Sequence, residues 1–323
     1  VIDSLLAILS PLEYAISAVL VFWHSIFSLV LDPALGVTWA LSIVGLVVTV
    51  RILIIPLFVK QVKSQRNLQV LQPRMKELQK KYAGDREKLG QEMMKLYKET
   101  GTNPLASCFP ILLQAPIFFA LFRVLQYGIS QQQPLGFFKG REELLLQAYE
   151  GTIFGVPLWA YFLGTIGTNS PELVASGANF TTVRIMTLIL VVFMSGTTFL
   201  TQRQLMVKNM AADNPMAQQQ KILLYVFPII FAVGGVGFPI GVLIYWSTTN
   251  VWSMGQQFWI IRNNPTPGTP AFDAWEKRKK EKLAKKGIVE DSPSQEEQKP
   301  EPPKRQQPKK KSRKDRNKKK PQD

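Results

Sequence analysis

The chain of 323 residues contains a single cysteine, Cys108, and a single histidine, His24. One cysteine excludes an internal disulfide framework, and one histidine leaves no histidine-based metal site to build. No HExxH, GxxxxGK[ST] or GxSxG pattern occurs. Zinc-hydrolase, P-loop and nucleophile-elbow chemistry therefore lack their carriers. No catalytic residue, metal ligand or cofactor is expected, and an enzyme is not. Gly234, Gly235, Gly237 and Gly241 lie beside Pro239 in an apolar run and read as a tight turn between helices, not a phosphate loop. Before Asp32 the only charges are Asp3 and Glu13, so the basic n-region of a secretory signal is missing. Val1 in place of a methionine leaves processing or an unusual start as alternatives.

Acidic residues are also missing from the five segments that read as membrane spans. A helix crosses a hydrocarbon core of roughly 30 Å with about 20 apolar residues, each adding about 1.5 Å. Five segments are expected to do so: Val37–Phe58, Leu105–Tyr127, Val183–Thr201, Ile222–Phe238 and Gly241–Ile261. The last two meet at Gly237-Phe238-Pro239 as a helical hairpin. Lysine and arginine gather on one side of such spans. The loop Val59–Asn103 carries 11 of them, and Gln202–Lys221 carries Arg203, Lys208 and Lys221. Gly128–Thr182 holds only Lys139 and Arg141 against four glutamates. The consistent solution is a multi-pass plasma-membrane protein with its N-terminus outside and its C-terminus cytoplasmic. Leu12–Leu31 is apolar enough to be a sixth span. It also holds Glu13, Ser17, His24, Ser25 and Ser28, and is expected as an amphipathic helix lying on the outer face, with His24 on its polar side. Ile153–Gly167 reads as a loop touching the headgroups.

The fold class expected is therefore all-α: a five-helix transmembrane core, a cytoplasmic helical hairpin and a disordered basic tail. The domains are 1–36 (interfacial helix region), 37–262 (membrane core) and 263–323 (tail). In the hairpin, 59–103, Leu68, Leu71, Met75, Leu78 and Tyr82 recur at helical spacing. Ala83-Gly84-Asp85 breaks the run, and Leu89, Met93 and Leu96 resume it. One reading is a rigid connector. The other is a docking arm for a targeting factor or nascent chain, with Met75, Met93 and Met94 offering adaptable apolar contacts.

From Arg262 onward the chain holds 20 basic and 10 acidic residues, against 19 and 13 before it. Phe272–Lys286 suits a short basic helix; beyond it the composition cannot build a core. Lys309, Lys310, Lys311, Arg313, Lys314, Lys318, Lys319 and Lys320 are expected to bind ribosomal RNA non-specifically or anionic lipid headgroups.

Arg51 sits inside the first span, nine residues before Lys60 and so roughly 13 Å below it. A charge at such depth costs about 2.5–3.5 kcal/mol on insertion scales. Either the side chain snorkels to the cytoplasmic surface, or it faces a water-filled cavity. The second is favoured by the missing acidic partner and by polar groups on other spans: Gln114, Ser195, Thr197, Thr198, Ser247, Thr248, Thr249 and Asn250. Singly, each is as well explained by helix packing.

These residues lie in a pattern that resembles the YidC/Oxa/Alb membrane insertases. The likeness is carried by Trp39 through Arg51 to Pro56-Leu57, by Leu71-Gln72-Pro73, and by Gln91 to Lys98. The stretch Asn103-Pro104-Leu105 with Cys108-Phe109-Pro110 through Gln114-Ala115-Pro116 to Phe122 is its strongest part. Phe238-Pro239, Ile244-Tyr245-Trp246, Asn250 and Gln256-Gln257 complete it, so that it covers about Ile16 to Arg262. The large extracytoplasmic domain of Gram-negative members is missing, which makes the chain similar to a Gram-positive, actinobacterial form. The resemblance implies a groove open to the cytoplasm and lipid and closed on the outer face. It implies that Arg51 is the groove's charge and that Gln114, Gln202 and Trp246 line it. The partners it implies are nascent membrane proteins, with the Sec translocon and the signal recognition machinery as possible co-workers. Gly128–Thr182 is longer than such a core needs. A small-solute transporter would need midplane carboxylates and paired broken helices. A merely tethered RNA-binding protein would leave Arg51 unexplained.

Overall fold

The computed structural model describes residues 2–59, 61, 71–101, 109–166, 170–209, 217–263, 265 and 270–285. They fall into two compact units, Val1–Trp275 and Glu276–Asp323. The first unit begins with α1 (Ile2–Phe27) and α2 (Gly36–Leu53). Residues 55–59 are helical again after a turn at Ile54. Pro56 explains the interruption, because its ring excludes a continuous helical hydrogen-bond ladder yet suits a first helical turn.

Next come α3 (Gln72–Lys81) and α4 (Arg86–Glu99). Pro73 opens the first of these. Asp85 caps the second, its Oδ1 accepting the Lys88 amide at 2.9 Å, and so supplies one of the orphan donors of a helix start with a partner. The two helices enclose a small core of Leu71, Met75 and Leu96, with Leu78, Met93 and Tyr97 packed on it. Because the start of α3 meets the end of α4, they run antiparallel. Met75 is only 5% exposed. The expectation that it is open for docking is therefore corrected: it holds the hairpin together. Met93 is half-buried, and Met94, at 53%, is exposed. Leu68 lies outside the described residues.

Helix α5 (Phe109–Arg123) continues without a break into a π-helical turn, Val124–Ile129. A folded layer then occupies much of 128–182, the segment expected as an extracytoplasmic loop. It contains a 3-10 turn at Gly136–Phe138, α6 (Glu142–Glu150), the strands β1 (Thr152–Ile153) and β2 (Val156–Pro157), a 3-10 turn at Phe162–Thr165, and α7 (Pro171–Ala175). The strands form an antiparallel hairpin pairing Thr152 with Pro157 and Ile153 with Val156.

Three helices complete the unit: α8 (Phe180–Asn209), α9 (Ala217–Gly235) and α10 (Ile240–Asn263). The break expected at Gly237-Phe238-Pro239 lies between the last two. The layer satisfies the free amides that begin α10: Ile240 N donates to Ala160 O at 2.9 Å and Gly241 N to Leu158 O at 2.7 Å. A helix start buried without such acceptors would be costly.

One core joins these parts. Trp39, Ile43 and Leu46 of α2 meet Leu121 of α5, Val124 and Leu125 of the π-helical turn, Phe138, Leu158 and Trp159 of the layer, and Ile16 and Leu20 of α1. Two glycines permit the approach. A Cβ on Gly45 would lie 2.5 Å from the Trp23 ring, and one on Gly36 would lie 2.4 Å from the Thr152 backbone.

The polar side of α1 faces inward, against α5, the layer and the corner before α2. Glu13, Ser17 and His24 are buried, while Tyr14 and Phe22 are exposed. Each buried group has a partner. Arg123 Nε donates to Glu13 Oε1 as an ion pair, and Ser17 Oγ accepts the Phe137 amide at 2.7 Å. His24 stacks on Trp39 with centroids 3.8 Å apart and bonds the Pro33 carbonyl at 3.0 Å. Burial of an uncapped charge is what these partners prevent.

Among the described residues, three helices are long and apolar enough to cross a membrane: Leu9–Phe27, Gly36–Leu53 and Phe180–Gln204. Leu224–Gly235 is apolar but shorter. The expected second and fifth spans are helical over Phe109–Arg123 and Ile240–Asn263; the polar groups of α10, Ser247 to Asn250 and Gln256-Gln257, dilute its apolar character. In the tail, α11 (Pro270–Lys285) lies where a short basic helix was expected at Phe272–Lys286. It carries Lys277, Arg278, Lys279, Lys280, Lys282 and Lys285 against Asp273, Glu276 and Glu281, and Lys280 pairs with Glu276 at 3.3 Å. The eight residues between Lys309 and Lys320 named above as expected to bind RNA or lipid lie outside the described residues.

Candidate functional site

Arg51 occupies the last turn of α2, where a cation suits the negative end of the helix dipole. Its side chain is half-buried and crosses to α10, one guanidinium nitrogen donating to the Thr249 carbonyl at 3.4 Å. Among the described residues no carboxylate is paired with it. One turn back along α10, Tyr245 is 2% exposed, and its hydroxyl accepts a hydrogen bond from Gln114 Nε2 on α5. Three helices thus converge: α2 brings the cation, α10 a carbonyl and a phenol, and α5 an amide.

Helix geometry decides which expected residues join this group. Successive residues are turned by about 100°, so Tyr245 and Thr249 share a face and Trp246 and Asn250 share another. Asn250, expected as a groove residue, lies on the second of these faces, toward α8. Its amide donates to Met194 O at 3.1 Å and to Thr198 Oγ1 at 2.8 Å, tying α10 to α8. Trp246 packs edge-on against Phe118 and Phe231, with centroids 5.1 and 4.4 Å apart. Gln202 is half-buried near the end of α8. Of the groove residues expected, the structure brings together Arg51 and Gln114, and sets Trp246 and Asn250 around the helix from them.

A second feature follows α10 and α8. Ser247 Oγ, Thr249 Oγ1, Trp252 Nε1 and Gln257 Oε1 on α10, and Ser195 Oγ and Gln204 Oε1 on α8, are buried polar atoms without a hydrogen-bond partner among the described residues. Leaving such a group unmade costs roughly 1–3 kcal/mol. Native interiors rarely hold several of them on two facing helices unless water or a ligand reaches the site.

Sequence reasoning passed over three contributors. Tyr245 was hidden by its position in an apolar, aromatic-rich run; its i, i+4 relation to Thr249 was the available signal. Glu13 stood out as the one acid in an apolar segment, yet its partner Arg123 is 110 residues away. Arg184 anchors the start of α8 to the layer through Thr165 Oγ1 at 2.7 Å.

The profile of the 60Kd inner membrane protein family matches residues 30–267. A protein of Streptomyces avermitilis named membrane protein insertase YidC is 49% identical over 85% of this chain and 63% of its own length. Proteins of the same name are 35% identical in Tropheryma whipplei (strain Twist), over 85% of this chain and 90% of that one, and 33% identical in Mycobacterium tuberculosis, over 77% and 71%. The chain spans about two thirds or less of the Streptomyces protein and most of the Tropheryma one.

Proposed function

The chain belongs to the 60Kd inner membrane protein family, that of the YidC-type insertases, in its actinobacterial form, and on that premise we propose that it receives nascent membrane proteins and releases their helices into the bilayer. It is a multi-pass bacterial membrane protein, and its proposed work is non-enzymatic. The proposed topology is five spans, with α3 and α4 in the cytoplasm and the 130–179 layer outside.

The observation that carries the proposal is the placement of Arg51: a cation without a carboxylate partner among the described residues, facing a carbonyl across a helix boundary. A guanidinium has five N–H donors. Those not directed at Thr249 can receive a client carboxylate. A short polar segment held there keeps hydrogen-bonding partners and is spared most of the desolvation that hydrocarbon would impose. The unpartnered hydroxyl and amide oxygens of α8 and α10 extend that polar environment. The client's apolar helix then leaves by partitioning into lipid, with no nucleotide needed. Trp246, beside Phe118, offers an apolar edge to that helix between α5 and α10. The basic tail and Met94 are proposed contacts for the ribosome and for a targeting factor, with the Sec translocon as a co-worker for larger clients.

Photocrosslinkers placed at Arg51, Trp246 and the exposed Val192 of α8 during synthesis of a client test this reading. Adducts from positions 51 and 246 to the client's polar flank and first helix are expected. Adducts from position 192 alone would overturn it.

A further inference from the structure

Among the described side chains of α1, its corner and the 130–179 layer, the three most exposed large apolar ones are Phe154, Val30 and Leu29, at 89%, 88% and 83%. None belongs to the site above. Phe154 and Gly155 form the two-residue turn of the β1–β2 hairpin, and both have positive φ, 51° and 74°. Such a turn favours Asn-Gly or Gly-Gly, since a side chain with Cβ is strained there. Phenylalanine thus sits where neither turn chemistry nor solvent exposure favours it. Leu29 and Val30 form the corner between α1 and α2.

The two features are neighbours. Gly36, at the start of α2, touches the Thr152 backbone of the hairpin. On either side of Gly36, Leu35 and Val37 are exposed, so the apolar surface runs from the flank of a span out to the hairpin. Between Gly151 and Pro171 the sequence has no Asp, Glu, Lys or Arg. An electrostatically attracted partner is therefore poorly matched, whereas the boundary between headgroups and acyl chains takes uncharged aromatic and aliphatic groups of either kind.

We infer that the Phe154 hairpin tip and the Leu29–Val30 corner are an insertion wedge, seated in the leaflet at the Gly36 end of the spans and binding lipid irrespective of headgroup charge. The wedge fixes the layer against that leaflet, and with it the amide contacts that begin α10. It goes beyond the insertase reading and stands on membrane embedding alone.

The test uses the full chain in phosphatidylcholine nanodiscs, with Cys108→Ser and a nitroxide at Phe154→Cys, at Val30→Cys or at Glu150→Cys, an exposed position of the same layer. Collisions with oxygen and with a water-soluble nickel chelate report depth. Labels at 154 and 30 are expected to meet oxygen several-fold more than the chelate, with the order reversed at 150 and no change in 1 M salt or with anionic lipid. Equal chelate access at 30, 154 and 150 would overturn the inference, as would protection seen only in native membranes (a protein partner) or only with anionic lipid. Val30→Cys keeps the test decisive if the strained turn rejects a cysteine. Loss of client crosslinking with the depth pattern intact would sink the insertase reading and leave the wedge standing.

Discussion

A single charged hydrogen bond at Arg51 sets what its replacement should do. Hydrogen bonds to charged groups are worth about 1.5–3 kcal/mol, so Arg51→Ala is expected to slow insertion of a client with an acidic flank roughly ten- to hundredfold. A client with a neutral flank should change less than about twofold, and Arg51→Lys should retain most of the activity because it keeps the charge. Protease protection of the two clients in reconstituted vesicles measures this; equal losses for both would remove charge attraction from the account. Tyr245→Phe keeps the ring but removes the acceptor of the Gln114 amide. It should lower the melting midpoint in detergent modestly, at a cost of about 1 kcal/mol, and reduce crosslinking from position 51 to the acidic client. Unchanged crosslinking would make Tyr245 a packing residue only. Arg51 was legible because a cation deep in an apolar run carries a cost that either snorkelling or a wet neighbourhood must offset. Tyr245 was not, because a buried tyrosine in such a run looks like core until the amide that bonds it, 131 residues away in sequence, is placed.

Two elements depend on contacts that their own sequence pattern half-reveals. The a/d stripe of α3 and α4 contains the Leu71, Met75 and Leu96 that form the core, but it left the methionines undifferentiated, since helical spacing alone does not say which side chain the partner helix covers. Burial now separates them. Met75→Asp should melt the hairpin, because a charge in a core this small has no partner, whereas Met94→Asp should leave it folded; amide exchange across 72–99 distinguishes the two, and equal protection would contradict the assigned core. Helix α1 shows the opposite case. Its apolar and polar residues were recognised, but what its polar face packs against was not legible, because the partners that neutralise it come from α5 and the layer. Removing one member of a buried pair costs roughly 3–5 kcal/mol, and less here because the Arg123 side chain is 22% exposed. Glu13→Gln should therefore destabilise the protein measurably in thermal melts. Glu13→Arg with Arg123→Glu should recover part of the loss, and no recovery would mean that the pair's contribution is packing rather than charge.

The position of α1 decides the topology of the whole molecule. A sixth span antiparallel to α2 would bring its early residues beside the Arg51 end, away from the layer. The contacts run otherwise: Tyr14 meets the Phe137 ring with centroids 5.5 Å apart, Ser17 Oγ takes the Phe137 amide, and His24 bonds Pro33 beyond the helix end. Attachment to the layer and corner at points ten residues apart, about 15 Å of helix, favours a helix lying across the layer side. Against this stands Trp23, whose Nε1 donates to Thr49 Oγ1 at 2.8 Å, deep along α2; an oblique helix satisfies both sets of contacts. Ser10 is exposed near the start of α1 and lies on opposite sides of the membrane in the two topologies. In right-side-out vesicles of the Cys108→Ser protein, Ser10→Cys should react with an impermeant maleimide as fast as Glu150→Cys does, while Lys88→Cys reacts only after permeabilisation. Reaction of Ser10→Cys that also awaits permeabilisation would establish six spans and move the N-terminus to the Arg51 side. The polar face of α1 would then be the lining of a bundle interior, and the Glu13–Arg123 pair an intramembrane salt bridge whose loss should impair insertion as well as stability.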